Sequence, residues 1–427
     1  MNSTQFLSIS LPVGFASATA FGLIAVGAFG LSWSLLGSLA PVLFAKVVKR
    51  RPLQAASSRE SLTFEVLVTA HNEAEVIERT LESVSVSISS FVQSEHFGSR
   101  LQTKVTVGLD HCTDGTALKV EQFSARHPSL EIATVPNFGS AGKWTMLALL
   151  AEQSQATWIA FVDCGSIWHR DLVREVSRHW SDDAVLAVAP SYLPERGLAG
   201  GGALERANWK LEQLLKSLEN HAGGPTSVHG ATVFYRKETL LTVLKTLKNR
   251  TWLNDDVVIP LSLRLRFPTH RIVYLAARTS EQGAGAVDGW VTDVGVRSEL
   301  GLEIRRRRRL VLGNLQWVDG IYLADFFQSF VRSPYAMAVA SRRIFRLFWA
   351  YWVLFLGLGI GMTVALLAPA FRNDGTGIIV GIFLSSTLFA FVYRSNWMRR
   401  LLMAFLSGLD CPRLWLSLKN EKEISWN

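Results

Sequence analysis

From Phe15 to Ala45 the chain carries no charged residue. About 20 consecutive apolar residues cross a bilayer as a helix, so this run spans with length to spare for tilt. The preceding segment, MNSTQFLSIS, has no Lys or Arg and so lacks the basic start of a secretory signal. The run is followed by KVVKRR, and the positive-inside rule then predicts an N-terminus outside and a following domain in the cytoplasm. Two more spans are expected at Leu347–Phe371 and Thr376–Tyr393. The short loop between them, RNDG, is nearly neutral, while their outer flanks carry RRIFR and RSNWMRR, which gives the same orientation. The expectation is a multi-pass protein of the cytoplasmic (inner) membrane. Tyr322–Phe345 mixes aromatics, arginines and a proline and reads as an interfacial helix. Trp397–Leu418 reads as a second surface segment or as a disordered tail.

Charge supports this frame. Over 427 residues, Lys+Arg 44 against Asp+Glu 35 gives a net charge of +9. The basic residues cluster at Lys46–Arg51, Arg305–Arg309, Arg342–Arg346 and Arg394–Arg400, each beside an apolar run. A nucleic-acid binder spreads such charge over a soluble face with aromatics interleaved, so membrane topology is the better explanation and no nucleic-acid partner is expected. Cys112, Cys164 and Cys411 lie far apart with no metal-like spacing, which suggests a reducing compartment.

Between the first span and the later ones, short apolar runs alternate with helical spacing. FEVLVTA, VTVGLD, EIATVP and WIAFVD are strand-like, and helical stretches follow them. This alternation predicts an α/β domain with a mostly parallel sheet covered by helices. The expected organisation is 1–50 for the N-terminal transmembrane helix and 61–320 for the α/β domain. An interfacial helix at 321–346, two transmembrane helices at 347–394 and a tail at 395–427 complete it.

Ligands of such sheets bind beyond the carboxyl ends of the strands. Asp110 and Asp163 each end an apolar strand directly, where a carboxylate can hold a base, a ribose or a divalent ion. Asp114 lies in CTDGT, where Asp-Gly is also ordinary turn chemistry. Gly139–Lys143, GSAGK, is not a Walker loop, because position 137 is Asn and position 144 is Trp. Lys143 can still meet a phosphate as a point charge. Asp255 and Asp256 open a helical run, where acids serve the macrodipole or, beside a hydroxyl, act as general base. The five arginines Arg305–Arg309 face either an anionic lipid surface or an anionic substrate.

The ordered series TAHNEAEVIERTLESV, LDHCTDGT, GSAGK, FVDCGS, VHGATVFYRKETL, LNDDVVIPLSLRLR and RRRRRLVLGNLQ resembles a membrane-embedded glycosyltransferase of family 2, over roughly Phe64–Trp317. The resemblance implies a GT-A fold and inverting transfer from a nucleotide diphosphate sugar, usually a UDP-sugar. It implies that Thr69, Ala70, His71 and Glu73 line the nucleotide pocket and that Asp110 contacts the base. Lys143 and Arg309 would approach the donor diphosphate. Asp163 would be the metal ligand, with Mg2+ or Mn2+ as cofactor. Gly230, Tyr235 and Arg236 would shape the acceptor site. Asp256 would be the base, with Asp255 in the preceding acidic position.

The series departs from the family pattern twice. The DxD motif reads Asp163-Cys164-Gly165 and lacks its second acid. The Gln-x-x-Arg-Trp motif of processive synthases is replaced by Arg306, Arg307, Arg308, Arg309 and Leu310, without the tryptophan. The resemblance therefore favours single-sugar transfer to a lipid-linked or other membrane glycan acceptor in surface polysaccharide biosynthesis. A processive hyaluronan- or cellulose-synthase-like enzyme is the alternative. A non-catalytic nucleotide-binding scaffold within a glycan assembly complex, with partner subunits, is a second.

Overall fold

The computed structural model describes residues 13–47, 63–94, 101–193, 203–279, 287–293, 300–367, 405–406 and 408–418. The chain divides into two compact units, Ser38–Ala340 with Asn420–Asn427, and Met1–Gly37 with Ser341–Lys419.

The larger unit is built on seven strands: β1 Thr63–Ala70, β2 Gln102–Leu109, β3 Glu131–Pro136, β4 Trp158–Asp163, β6 Val185–Pro190, β7 Thr232–Arg236 and β8 Arg271–Leu275. Their order is β3-β2-β1-β4-β7-β6-β8. β7 alone runs against its neighbours, and the other pairings are parallel. The sheet is thus mostly parallel, as the alternating sequence predicts. β1 is buried along nearly its whole length because helices cover both faces, which is why it reads as a continuous apolar run.

Residues Phe64, Val66 and Val68 point to a face packed by α3 Ile77–Ser94, α4 Thr116–Arg126 and α6 Leu172–Ser177. The opposite face carries α5 Lys143–Gln153, α8 Lys237–Thr246 and α9 Asp255–Arg266. There Glu65 is a buried carboxylate that accepts from Thr106 Oγ1 and Ser154 Oγ, each at 2.5 Å. α5 lies so close to β2 that a Cβ at Gly108 would fall 2.5 Å from the Met146 sulfur. A short antiparallel pair, β5 Ser166–Trp168 with β11 Val291–Asp293, follows the end of β4. β9 Arg278–Thr279 and β10 Val287–Asp288 form another.

Beyond α7 Ala203–Glu219, a one-turn helix spans Asn220–Ala222. α10 Leu300–Trp317 runs into a π-helical turn at Val318–Leu323, followed by α11 Phe326–Arg332 and α12 Pro334–Leu347. The stretch expected as one interfacial helix is therefore broken. Pro334 disfavours helical backbone at Ser333, which ends α11 before the proline starts α12.

In the smaller unit, α1 Val13–Leu36 and α13 Trp349–Leu367 run antiparallel. Gly27 and Gly30 bring α1 against Leu356 and Trp352, and Gly359 brings α13 against Ala20 and Ile24. Small residues at such crossings let two apolar helices approach closely. α14 Cys411–Ser417 lies beyond. Gly14–Leu36 is long and apolar enough to cross a membrane, and Pro334–Leu347 with Trp349–Val364 qualifies jointly as one bent span. The expected third span, Thr376–Tyr393, lies outside the described residues.

The first span is shorter than the sequence suggested. α1 stops at Leu36, and Leu39–Val47 forms a separate helix, α2, in the larger unit. Pro41 fits in its first turn, where an N–H has no helical partner to lose. Ser38 Oγ donates to Glu219 at 2.5 Å, and Val42 is buried against Ala222. These contacts draw an apolar segment into the α/β unit that composition alone would leave in lipid.

Candidate functional site

The register of the sheet sets Thr69 beside both Gly108 and Asp163, so the carboxyl ends of β1, β2 and β4 open side by side. Four charged groups converge there. Lys143 stands at the N-terminus of α5, and its Nζ lies 2.7 Å from Asp163 Oδ1 and 3.2 Å from Asp255 Oδ1. Asp256 follows Asp255 at the start of α9. A Cβ built on Gly230 would lie 3.5 Å from Asp256 Cβ and 3.9 Å from Asp163 Oδ2. Asp163, Asp255, Asp256, Lys143 and Gly230 therefore belong to one cleft.

The position of Asp256 follows from a proline. Pro260 lies inside α9 and has no N–H to offer the Asp256 carbonyl four residues earlier. That carbonyl accepts the Val228 N–H instead, at 2.9 Å, which ties the loop carrying Gly230 to the first turn of α9. α10 braces the same turn from the other side. Leu253 N–H donates to Gln316 Oε1 at 3.1 Å, and a Cβ on Gly313 would come within 2.4 Å of Asn254 Oδ1. The GNLQ residues thus fix the approach of α10 to the acids.

Electrostatics couple the cluster. Burial alone would lower the Lys143 ammonium, but Asp163 and Asp255 outweigh it and raise its pKa above the ordinary lysine value. Asp163 sits deep in the cleft yet keeps 39% of its side chain exposed. Lost solvation and the neighbouring Asp255 push its carboxyl up, against the pull of Lys143 and Arg309. Arg309, half-buried on α10, is thus within electrostatic reach of the cleft. Arg308 is exposed. The side chains of Arg305, Arg306 and Arg307 lie outside the described residues. Burial, Asp163 and Asp114 raise Glu73 above the usual carboxylate range.

Other expected site residues take different places. Thr69 and Ala70 are enclosed, and their carbonyls accept the thiols of Cys164 and Cys112 at 3.3 Å each. They form the floor, while His71 and Glu73 reach its partly exposed rim. Asp110 is fully buried, and protein donors meet both of its oxygens. Asn137 Nδ2 donates to Oδ1 at 2.6 Å and Gly142 N–H to Oδ2 at 2.8 Å, with His111 Nδ1 3.0 Å from Oδ1. As placed, Asp110 fastens the loop leading to Lys143 and does not present itself to a base. Its neighbour His111 is exposed, with a left-handed φ of 53°. Asp114 accepts from Thr116 N–H, Thr116 Oγ1 and Ala74 N–H, which is turn and helix-start chemistry.

Tyr235 and Arg236 do not reach the cleft mouth. Tyr235 is 1% exposed and packs edge-on to Phe161. Burial, with Asp255 and Asp256 adding to it, raises its hydroxyl well above the usual range, so it underlies the acids. β7 runs opposite to β4 and pairs Arg236 with Trp158, at the end of β4 remote from Asp163. There the guanidinium covers the Trp158 ring at 5.2 Å and donates to the carbonyls of Asp182, Val185 and Trp180. Strand direction, invisible in the local sequence, separates it from the site.

Gly165, where the second acid of a DxD motif would stand, has φ of +88° and open space around it. Among the described residues no group of three His, Cys, Asp or Glu side chains is arranged to hold a metal. Asp163 nevertheless holds a cation already, the Lys143 ammonium. A single carboxylate fits Mg2+ or Mn2+ when donor phosphates and water complete the shell.

The residues that sequence reasoning passed over are Asn137, Gly142, Asn254, Gly313 and Gln316. All act by holding the acids or Lys143 in place. Asn137 lies two residues before the GSAGK run and Gly142 lies within it, which is a signal that more than its lysine matters.

The profile of the family described as Glycosyltransferase like family 2 matches residues 62–313. Among solved structures, the chain is similar to the mannosyltransferase PcManGT of Pyrobaculum calidifontis in complex with GDP-Man and Mn2+. The TM-score is 0.57 and the identity 17%, over 93% of this chain and 99% of that one. It also matches glucosyl-3-phosphoglycerate synthase of Mycobacterium tuberculosis in complex with phosphoglyceric acid, with TM-score 0.38, 14% identity, and coverage of 64% and 85%. A third match is S. aureus TarS 1–349 in complex with UDP, with TM-score 0.34, 13% identity, and coverage of 62% and 74%. The first of these likenesses supports the GT-A fold. No curated protein sequence matches the chain.

Proposed function

We propose a reaction for this chain, which belongs to the glycosyltransferase-like family 2: inverting transfer of one sugar from a nucleotide diphosphate sugar to a membrane-associated acceptor. The observation that carries it is the meeting of Asp163, Lys143, Asp255 and Asp256 in one cleft beside Gly230. The acceptor hydroxyl attacks the anomeric carbon as the bond to the nucleoside diphosphate breaks. Asp256 takes the hydroxyl proton, a role that contributes about 10²–10⁴-fold in rate. Lys143 moves from its carboxylate partners to the donor phosphates and, with Arg309, stabilises the charge that develops on the leaving diphosphate. Asp255 keeps Lys143 in place until the donor arrives. A Mg2+ or Mn2+ held by Asp163 would supply further neutralisation of the same phosphates.

UDP-sugars are the expected donor class. The similarly folded PcManGT structure holds GDP-Man, so guanosine donors belong in any screen. The proposed acceptor is a polyprenyl-diphosphate-linked oligosaccharide or related glycolipid in surface polysaccharide biosynthesis. We place the chain in the cytoplasmic membrane as a multi-pass protein, with the N-terminus outside and the α/β unit in the cytoplasm, a reading that rests on the apolar helix Gly14–Leu36 and the basic residues that follow it.

The test is a thermal-shift screen of nucleotide diphosphate sugars on the detergent-solubilised chain, with and without Mn2+. A shift with one donor, followed by single-sugar transfer, supports the reading. A folded sample that shifts with none of them removes it.

A further inference from the structure

At the opposite end of the sheet, a cavity of about 720 Å3 opens where β6 and β8 begin. That volume is in the range of small-molecule sites. Its lining includes three arginines, Arg264, Arg271 and Arg332, with His221 and Tyr335, against one carboxylate, Asp182. Arg264 is almost fully buried, and the carbonyls of Ala222 and His270 hold its guanidinium at 2.6 and 2.8 Å. Arg271 pairs with Asp182 and remains half-exposed. Arg332 is exposed at the rim. The rim is fixed by Ser333 Oγ, which donates to the Arg264 carbonyl at 3.3 Å. The cavity therefore has an excess of cationic groups on a braced wall.

The helix that delivers Arg332 to this rim packs through Phe326 on Tyr322 and leaves most of its apolar surface exposed. α11 has no buried residue, and it exposes Phe327 at 84%, Phe330 at 50% and Val331 at 81%. Val331 is the chain neighbour of the lining Arg332. Exposed apolar surface beside clustered cations is the combination that an interfacial, anionic lipid satisfies. We propose that this cavity binds the phosphate headgroup of an anionic membrane phospholipid, with the acyl chains against Phe327 and Val331. The site is separate from the donor cleft and does not depend on the reaction proposed there.

The test uses the full detergent-solubilised chain and calorimetric titration with short-chain phosphatidylglycerol. Phosphatidylcholine of equal chain length and inorganic phosphate serve as the other arms. The expected result is saturable binding of phosphatidylglycerol at least about tenfold tighter than either comparison ligand. Arg332→Gln and Phe327→Ser, both at exposed positions, each weaken it several-fold, while nucleotide binding in the donor cleft is unchanged. Inorganic phosphate bound as tightly would make this a free-anion site and overturn the lipid assignment. Unchanged phosphatidylglycerol affinity in both variants, or no binding at all, would also overturn it.

Discussion

The two ends of the central sheet both gather charge, and they handle it differently. At the end remote from the cleft, three backbone carbonyls and an indole face hold Arg236, with the exposed Asp183 carboxylate a further partner at 3.4 Å. At the cleft end, Lys143 is held by two carboxylates, one of them 39% exposed. Opposite charges near solvent can trade partners with an arriving diphosphate or metal, whereas buried carbonyl contacts cannot. Lys143 rests on exchangeable partners, whereas three carbonyls and an indole keep Arg236 at its end of the sheet even when Asp183 lets go.

The largest effect that separates the two ends should come from Asp256→Asn. Turnover falls about 10²–10⁴-fold, with donor affinity retained, in a single-turnover assay paired with donor titration. Turnover within a few-fold of wild type would take Asp256 out of the base role. Next comes Lys143→Met, which removes a charge-assisted contact of about 1.5–3 kcal/mol, so donor affinity drops roughly ten- to a hundredfold by calorimetry. The same variant leaves Asp163 and Asp255 facing each other and lowers the melting temperature.

Asp110→Asn is expected to be smaller. It sets an amide N–H against donors already present at Gly142 or Asn137, at a cost of about 1–3 kcal/mol. It acts by loosening the loop before Lys143, so KM for the donor rises while kcat holds, as steady-state kinetics would show. Gly313→Ala forces Asn254 aside, costing about 1–3 kcal/mol in stability by denaturant melt, with a matching loss of turnover. The smallest kinetic effect belongs to Arg236→Met: stability falls, yet kcat and KM for donor and acceptor stay within about twofold of wild type. A selective rise in acceptor KM would return Arg236 to the acceptor site and erase the contrast between the ends.

Much of this was legible in the sequence, for local reasons. Apolar strands that end in Asp110 and Asp163 announced a parallel sheet and its reactive edge, and Asp255-Asp256 announced a helix start. What stayed hidden depends on long-range geometry. The fate of Asp110 was set by Asn137 and Gly142, residues 27 and 32 positions away, which close over it. The fate of Arg236 was set by the reversal of β7, which no motif encodes. The end of α1 was set by a serine bond to Glu219, 181 residues on. The bracing of Asn254 by Gly313 and Gln316 needed the packing of α10 on α9, although both residues lie in a run already marked as unusual.

In the proposed reaction the Lys143 ammonium passes from Asp163 and Asp255 to the donor diphosphate. Calorimetric titration of wild type and Lys143→Met with a nucleoside diphosphate and the matching monophosphate tests it directly. Wild type is expected to prefer the diphosphate by at least about tenfold, and Lys143→Met to lose most of this preference. An equal preference in both proteins would contradict it.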